Sequence, residues 1–320
     1  MAVTYQPPRL LFNAHAETIF PSLFRKVALQ AYSRERITTP DHDFLDIDWV
    51  RSGSSKLVII SHGLEGNSQR PYVKGMANAL YQHGFDVLAW NFRGCSEEMN
   101  HQLRFYHSGA TDDLDLIVRH AIQSGYSQVY LVGFSLGGNL TLKYLGEKPT
   151  PPEVKKAAAF SVPLHLYTSC LAISRPSNFI YSRRFLRSLK KKVVQKAAIM
   201  KEIDTKGIDR IKTLLEFDDC FTAPLHGFAG ALDYYERSSA LGFLSTIQTP
   251  TLLINASNDP FLSRECFPHH LLKNHPHVTF ENPDRGGHVG FAQFSKNGLY
   301  WSEERALNFF LTNKRLESLA

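Results

Sequence analysis

The sequence predicts an α/β protein with a mostly parallel central sheet, helices on both faces and a helical insertion, and three observations predict it. Short β-branched runs alternate with helically patterned segments along most of the chain. One of those runs feeds through Gly133-Phe-Ser-Leu-Gly137 into a helical segment. Two later runs end in polar loops that carry an aspartate and a histidine. A chain of 320 residues with 43% hydrophobic content can bury a full core. One domain spanning residues 1–320, with an insertion over 164–240, is the organisation expected.

The elements follow in order. Phe44 to Val50 and Lys56 to Ser61 read as strands, Tyr72 to Gln82 as a helix and Phe85 to Asn91 as a strand. Asp112 to Gln123 reads as a helix with acids in its first turn, where they oppose the helix dipole. Gln128 to Val132 is a strand, Asn139 to Leu145 is helical, and Lys156 to Val162 is a strand stopped by Pro163. From about Leu164 to Ala240 the alternation lapses into helical patterning. Thr251 to Asn255 and His277 to Phe280 are the last strands read.

Gly133-Phe-Ser-Leu-Gly137 carries the chemistry. A G-x-S-x-G match alone is weak, but a buried strand before it and an amphipathic helix after it form the setting of a nucleophile elbow. A serine on so sharp a turn holds a strained backbone, and side chains two positions away on either side would collide with it. The turn also puts Ser135 at a helix N-terminus, whose free N–H groups favour negative charge on a nearby oxygen. Ser135 is therefore the candidate nucleophile.

An acid and a base are needed to activate it, each from the end of a later strand. Asp259 lies in Ala-Ser-Asn-Asp-Pro260, directly after the strand at 251–255, and is the candidate acid. His288, in Asn282-Pro-Asp-Arg-Gly-Gly-His-Val-Gly290, is the candidate base. Asp218, Asp219 and Asp233 also lie between serine and histidine, but in helically patterned sequence, and Asp284 is too close to His288 to come from a separate strand end. His269, His270, His275 and His277 near Cys266 lack the spacing of a zinc motif and read as solvated loop residues. An oxyanion needs two backbone donors. Leu136, after the serine, supplies one candidate, and Leu64, in the turn His62-Gly-Leu-Glu-Gly66 after an early strand, supplies the other. Glu65, Tyr106 and His107 have no spacing that assigns them a role.

A series of ordered blocks carries a resemblance over nearly the whole chain. They are Phe12 to Arg25, His62-Gly-Leu-Glu-Gly66, Asn91-Phe-Arg-Gly-Cys-Ser96, Tyr106-His-Ser-Gly109, Gly133-Phe-Ser-Leu-Gly-Gly-Asn139, Glu216-Phe-Asp-Asp219, Asp233-Tyr-Tyr235, Asp259-Pro-Phe261 and Gly286-Gly-His-Val-Gly-Phe291. With them the chain resembles the YheT-like branch of the α/β-hydrolase superfamily. The resemblance implies the α/β-hydrolase fold, carboxylesterase or acylglycerol-lipase chemistry, and a Ser135, Asp259 and His288 triad. Asn258 departs from the pattern, since such proteins often carry a second aspartate there. The expected reaction is ester cleavage through an acyl-enzyme, on short to medium acyl chains held under the 164–240 insertion acting as a cap. One scaffold serves many reactions, so thioesterase, amidase or perhydrolase activity, and a binding role without catalysis, stand as alternatives.

Composition bounds the rest. Cys95, Cys170, Cys220 and Cys266 show no paired spacing and suit free thiols in a reducing cytosol. The start, Met-Ala-Val-Thr-Tyr-Gln-Pro-Pro-Arg-Leu-Leu-Phe12, lacks the pattern of a secretion signal, and no apolar run reaches the length of a membrane span. A cytoplasmic location is expected. The net charge of +6 owes much to Arg183, Arg184, Arg187, Lys190, Lys191, Lys192 and Lys196, interleaved with Phe185, Leu186, Leu189, Val193 and Val194. An amphipathic helix with a solvated basic face is the plainer reading, and peripheral contact with anionic lipid the functional one. No nucleic-acid signature, nucleotide-binding turn or metal motif accompanies the charge, so no nucleic acid, cofactor or metal is expected, only a small-molecule ester.

Overall fold

The computed structural model describes residues 5–295 and 297–312. The first four residues of the N-terminal segment considered above lie outside the described residues. Eight strands are present among the described residues: β1 (Ser33–Thr38), β2 (Phe44–Val50), β3 (Lys56–Ser61), β4 (Asp86–Trp90), β5 (Gln128–Phe134), β6 (Val154–Phe160), β7 (Thr251–Ile254) and β8 (Val278–Glu281). They form one sheet in the order β1-β2-β4-β3-β5-β6-β7-β8. From β4 to β8 every neighbouring pair is parallel, whereas β2 runs antiparallel to both β1 and β4.

The helices are α1 (Ala14–Phe24), α2 (Pro71–Tyr81), α3 (Thr111–Gln123), α4 (Leu136–Glu147), α5 (Leu166–Ile173), α6 (Phe179–Ile199), α7 (Leu214–Phe217), α8 (Ala223–Leu225), α9 (Ala231–Ser238), α10 (His269–Leu272) and α11 (Trp301–Leu311). Strand alternation assigns the two faces of the sheet. Leu57 and Ile59 of β3 pack with Leu114, Ile117 and Val118 of α3 and Leu140 of α4. Val58 and Ile60, pointing the other way, pack with Val73, Met76 and Leu80 of α2 and Leu307 and Phe310 of α11. Because both faces are covered, the central strands read in sequence as continuous apolar runs.

Two features escape a hydrophobic reading. The edge strand β1, Ser-Arg-Glu-Arg-Ile-Thr, is almost wholly polar and is held by charge across the strands: Arg34 faces Asp48 and Arg36 faces Asp46 in register. The guanidinium–carboxylate distances are 2.7 and 2.8 Å for the first pair and 2.7 and 3.0 Å for the second. Helix α1 is the other, capped by the Asn13 side chain, which accepts from the Ala16 amide at 2.8 Å.

Between β6 and β7 the chain runs through α5 to α9, and their apolar faces form a third core. It includes Leu186, Val193, Phe217, Phe221 and Tyr234, and it reaches Phe105 and Phe261 of the sheet's loops. The basic run lies on α6, but the expected solvated basic face is only partly present. Arg183, Arg184, Arg187 and Lys191 are exposed. Lys196 is fully buried, donating to Asn100 Oδ1 and the Arg104 carbonyl at 2.9 Å each, and Lys192 turns inward to a carboxylate. Long stems let these lysines cross apolar surface and place their ammonium groups on fixed acceptors.

Candidate active site

The sheet order changes direction around β3, which lies between β4 and β5, and ligands of such sheets bind at the carboxyl ends of the strands there. Ser135 follows β5 directly and caps α4 with φ 52° and ψ −119°. Its amide donates to the Phe160 carbonyl at 2.9 Å, which holds the sharp turn against β6. The elbow glycines are required, though for a reason other than collision with the serine. A β-carbon on Gly133 would lie 2.4 Å from the Gly137 carbonyl oxygen, and one on Gly137 would lie 2.4 Å from the His62 carbonyl oxygen. The crowding comes from the start of α4 and the end of β3.

Asp259 and His288 meet Ser135 from the loops after β7 and β8. His288 Nε2 is 2.9 Å from Ser135 Oγ, and His288 Nδ1 is 2.8 Å from Asp259 Oδ2 and 3.1 Å from Oδ1. With its proton on Nδ1, the imidazole donates to the carboxylate and accepts from the hydroxyl. The Asp259 side chain is fully buried and also accepts from the Phe261 amide at 2.9 Å. The three residues named from spacing thus form one hydrogen-bonded array. Five of the six non-glycine residues with positive φ among the described residues lie in or beside it: Ser135 itself, and Glu65, Ser161, Val289 and Phe291. Strain of this kind gathers where function needs a fixed geometry.

The loop after β3 can be accounted for amide by amide. The Gly63 amide donates to the Tyr72 hydroxyl at 2.9 Å, the Glu65 amide to the Tyr106 hydroxyl at 3.0 Å and the Gly66 amide to the Gly63 carbonyl at 3.0 Å. Among the described residues the Leu64 amide has no such partner, and neither does the Leu136 amide in the first turn of α4. His62 is spent on scaffolding. Its Nε2 accepts from the Phe92 amide at 3.1 Å and its Nδ1 donates to the Gly63 carbonyl at 2.8 Å, while burial lowers its pKa to about 3 and keeps it neutral.

The rival acids and histidines stand apart from this array. Asp218 accepts from Thr222 and Tyr235, Asp219 from the Ala231 amide, Asp233 from the Ala229 amide, and Asp284 is exposed. His269 and His270 are exposed, and His275 accepts from the amides of His277 and Val278. Among the described residues no group of three His, Cys, Asp or Glu side chains is arranged to hold a metal ion.

Sequence reasoning missed the residues that hold the array in place. Glu17 of α1, fully buried, accepts from the Gly286 amide at 2.9 Å and from Asn258 Nδ2 at 2.8 Å, and pairs with Arg285 at 2.5 Å. Its neighbour Thr18 accepts from the His288 amide at 2.9 Å. One helix therefore braces both the loop that carries Asp259 and the loop that carries His288. Two carboxylates standing in short, otherwise apolar or glycine-rich blocks, Glu17 and Glu65, were the available signal.

Ser135 and His288 open on a cavity of about 430 Å³, a size usual for small-molecule sites. Leu166 and Ile173 of α5, Phe185 and Leu189 of α6, and Phe217 and Phe221 farther along line it together with Phe261.

Comparison with known proteins agrees with this fold. A family model described as the alpha/beta hydrolase fold matches residues 56–202. "Putative esterase YheT" of Escherichia coli (strain K12) is 33% identical over 293 residues, covering 89% of this chain and 86% of that protein. The chain belongs to the YheT-like α/β-hydrolases. Among other α/β-hydrolase relatives, phospholipase ABHD3 of Bos taurus is 28% identical, with 91% of this chain and 74% of that one covered. Monoacylglycerol lipase of Saccharomyces cerevisiae is 27% identical, over 85% and 61%. The solved structure of the Pyrococcus furiosus esterase Pf2001 superimposes with a TM-score of 0.58 at 19% identity, over 89% of this chain and 97% of that one, and shares the α/β-hydrolase fold. No described helix is long and apolar enough to cross a membrane.

Proposed function

We propose that this α/β-hydrolase cleaves carboxylic esters of short to medium acyl chains, with Ser135 as nucleophile, His288 as general base and Asp259 as the group that orients it. The observation that carries the proposal is the relay from Ser135 Oγ through His288 to Asp259 at 2.9 and 2.8 Å. Relatives named esterase, phospholipase and monoacylglycerol lipase support ester chemistry over other acyl transfers. His288 takes the proton of Ser135 as its oxygen attacks the ester carbonyl, and the free amides of Leu64 and Leu136 hold the oxyanion. His288 then returns the proton to the leaving alcohol. Water, activated by the same imidazole, cleaves the acyl-enzyme.

Residues 164–240 serve in this reading as a cap, because the side chains of α5 to α8 supply much of the apolar lining over Ser135. The cavity mouth also suits an anionic lipid surface. Leu23 and Ile180 stand there 63% and 73% exposed beside Arg184, and Arg183 and Arg187 are exposed along α6.

The test is hydrolysis of p-nitrophenyl esters of increasing chain length, beside a thioester of matched length, by the wild type and a folded Ser135→Ala variant. Turnover is expected to fall by about 10⁴-fold or more in the variant, since triad members act as a unit. Equal activity in both proteins would remove Ser135 from the reaction, and a faster thioester would move the substrate class.

A further inference from the structure

The proposed cap and the proposed oxyanion loop meet at one side chain. Glu65 follows Leu64 and holds φ 53°, a left-handed backbone that a β-carbon disfavours and that persists only where the surroundings over-determine it. The surroundings here do so. Its amide donates to the Tyr106 hydroxyl, that hydroxyl donates back to Glu65 Oε1 at 2.8 Å, and its carbonyl accepts from Arg70 Nη2 at 2.7 Å. The other two contacts come from α6: Ser188 Oγ donates to Oε2 at 2.5 Å and Lys192 Nζ to Oε1 at 2.7 Å. The side chains of Lys192 and Glu65 are only 13% and 7% exposed. Water screens such a pair poorly, and loss of either partner leaves a buried charge uncompensated.

We propose that Glu65 is a positioning residue that couples helix α6 to the Leu64 amide, so that the oxyanion donor is aligned only while the cap is seated. This rests on the reading of Leu64 as an oxyanion donor. The coupling is mechanical. If α6 lifts, Ser188 and Lys192 leave together, and the Glu65 carboxylate keeps Tyr106 as its one side-chain donor. The left-handed turn then loses two of the five contacts that fix it, and the backbone at Glu65 is freer to turn, which shifts the adjoining Leu64 and with it the N–H carried by the Gly63–Leu64 peptide. Seated, α6 shapes the acyl cavity through Phe185 and Leu189 and fixes the turn through Ser188 and Lys192. Binding an acyl chain and completing the electrostatic site are thereby one event, the logic by which closure converts binding energy into rate.

The experiment compares the full-length wild type with Lys192→Met, Lys192→Arg and, as control, Lys191→Met on the exposed side of the same helix. Melting temperature is read for each to exclude misfolding. On p-nitrophenyl acetate, too small to need the acyl cavity, Lys192→Met is expected to lower kcat about 10- to 100-fold with KM changed by less than about threefold, below or at the loss seen when a whole oxyanion donor is removed. Lys192→Arg should recover most of kcat, and Lys191→Met should match the wild type. Amide hydrogen exchange in residues 62–66 should accelerate in Lys192→Met alone. Unchanged kcat with unchanged exchange overturns the proposal, as does a rise in KM confined to longer esters, which would leave Lys192 a cavity-lining residue only. Ser135-independent or absent hydrolysis in the wild type would instead defeat the ester reading, and the exchange measurement would still decide whether α6 holds the loop.

Discussion

Asn258 uses both halves of its amide: Nδ2 donates to Glu17 and Oδ1 accepts from the Gly287 amide at 3.0 Å. An aspartate in its place would set a second carboxylate against Glu17, so the departure from the usual pattern of such proteins is matched to the helix beneath it. Residue-scale electrostatics also give His62 a pH signature. Burial lowers its pKa from 6.5 to about 3, so between those values the unfolded chain binds a proton that the folded chain refuses. Stability from this group is full above pH 6.5 and is lost as pH falls toward 3. Unfolding midpoints in urea, measured from pH 7.5 to 4, should decline for the wild type, whereas His62→Asn should start lower and decline less steeply. Parallel slopes would show that other groups govern acid sensitivity. Ser135, Asp259, His288 and the two leucine amides were legible because each follows a strand or sits beside the serine, where chain order constrains the chemistry. Glu65, Tyr106 and Glu17 were not, because their partners lie 41 to 269 residues away and no local spacing encodes such meetings.

Helix α1 shows what an element contributes when its propensity says little. It contains Pro21, and among its residues only Glu17 and Pro21 are buried. What it contributes is acceptors. Glu17 and Thr18 occupy adjacent positions of one turn, and between them they hold Asn258, Gly286 and His288. Replacing Glu17 by alanine strands two donors, the buried Gly286 amide and Asn258 Nδ2, and one buried group left unpaired costs about 1–3 kcal/mol. Glu17→Ala is therefore expected to lower the thermal midpoint by several degrees and to reduce kcat more than it raises KM, because the loop of His288, the proposed base, loses its support while the cavity is kept. A KM effect alone would contradict this. The parallel strands and the sheet-covering helices α2 to α4 were legible from hydrophobic period. β1 was not, since its pairing rests on Arg34 and Arg36 facing Asp48 and Asp46, and a charged edge reads as loop until its partner strand is known. The basic run on α6 read correctly as a helix, yet its faces were misjudged where Lys192 and Lys196 turn inward.

For the molecule as a whole, apolar side chains and cations gather at one opening. Leu23 and Phe24 of α1 and Phe179 and Ile180 of α6 are all more than half exposed, and His15 stacks on Tyr181 at 5.7 Å to join the two helices. Sedimentation with vesicles containing phosphatidylserine should retain the wild type at low salt, and Arg183→Ser/Arg184→Ser/Ile180→Ser should release it while hydrolysis of p-nitrophenyl acetate is kept. Equal retention by neutral vesicles would assign the attraction to the apolar residues alone. Chain order adds a different consequence. Ser135 and His288 are 153 residues apart, and the amide of His288 is tied to Thr18, 270 residues upstream. During synthesis the elbow can form while His288 is still untranslated, so the growing chain carries Ser135 without its hydrogen-bond partner. Only when the last strand has been added and its loop has found the first helix can the Ser135, His288 and Asp259 array close, so the proposed site is among the last parts of the molecule to be assembled.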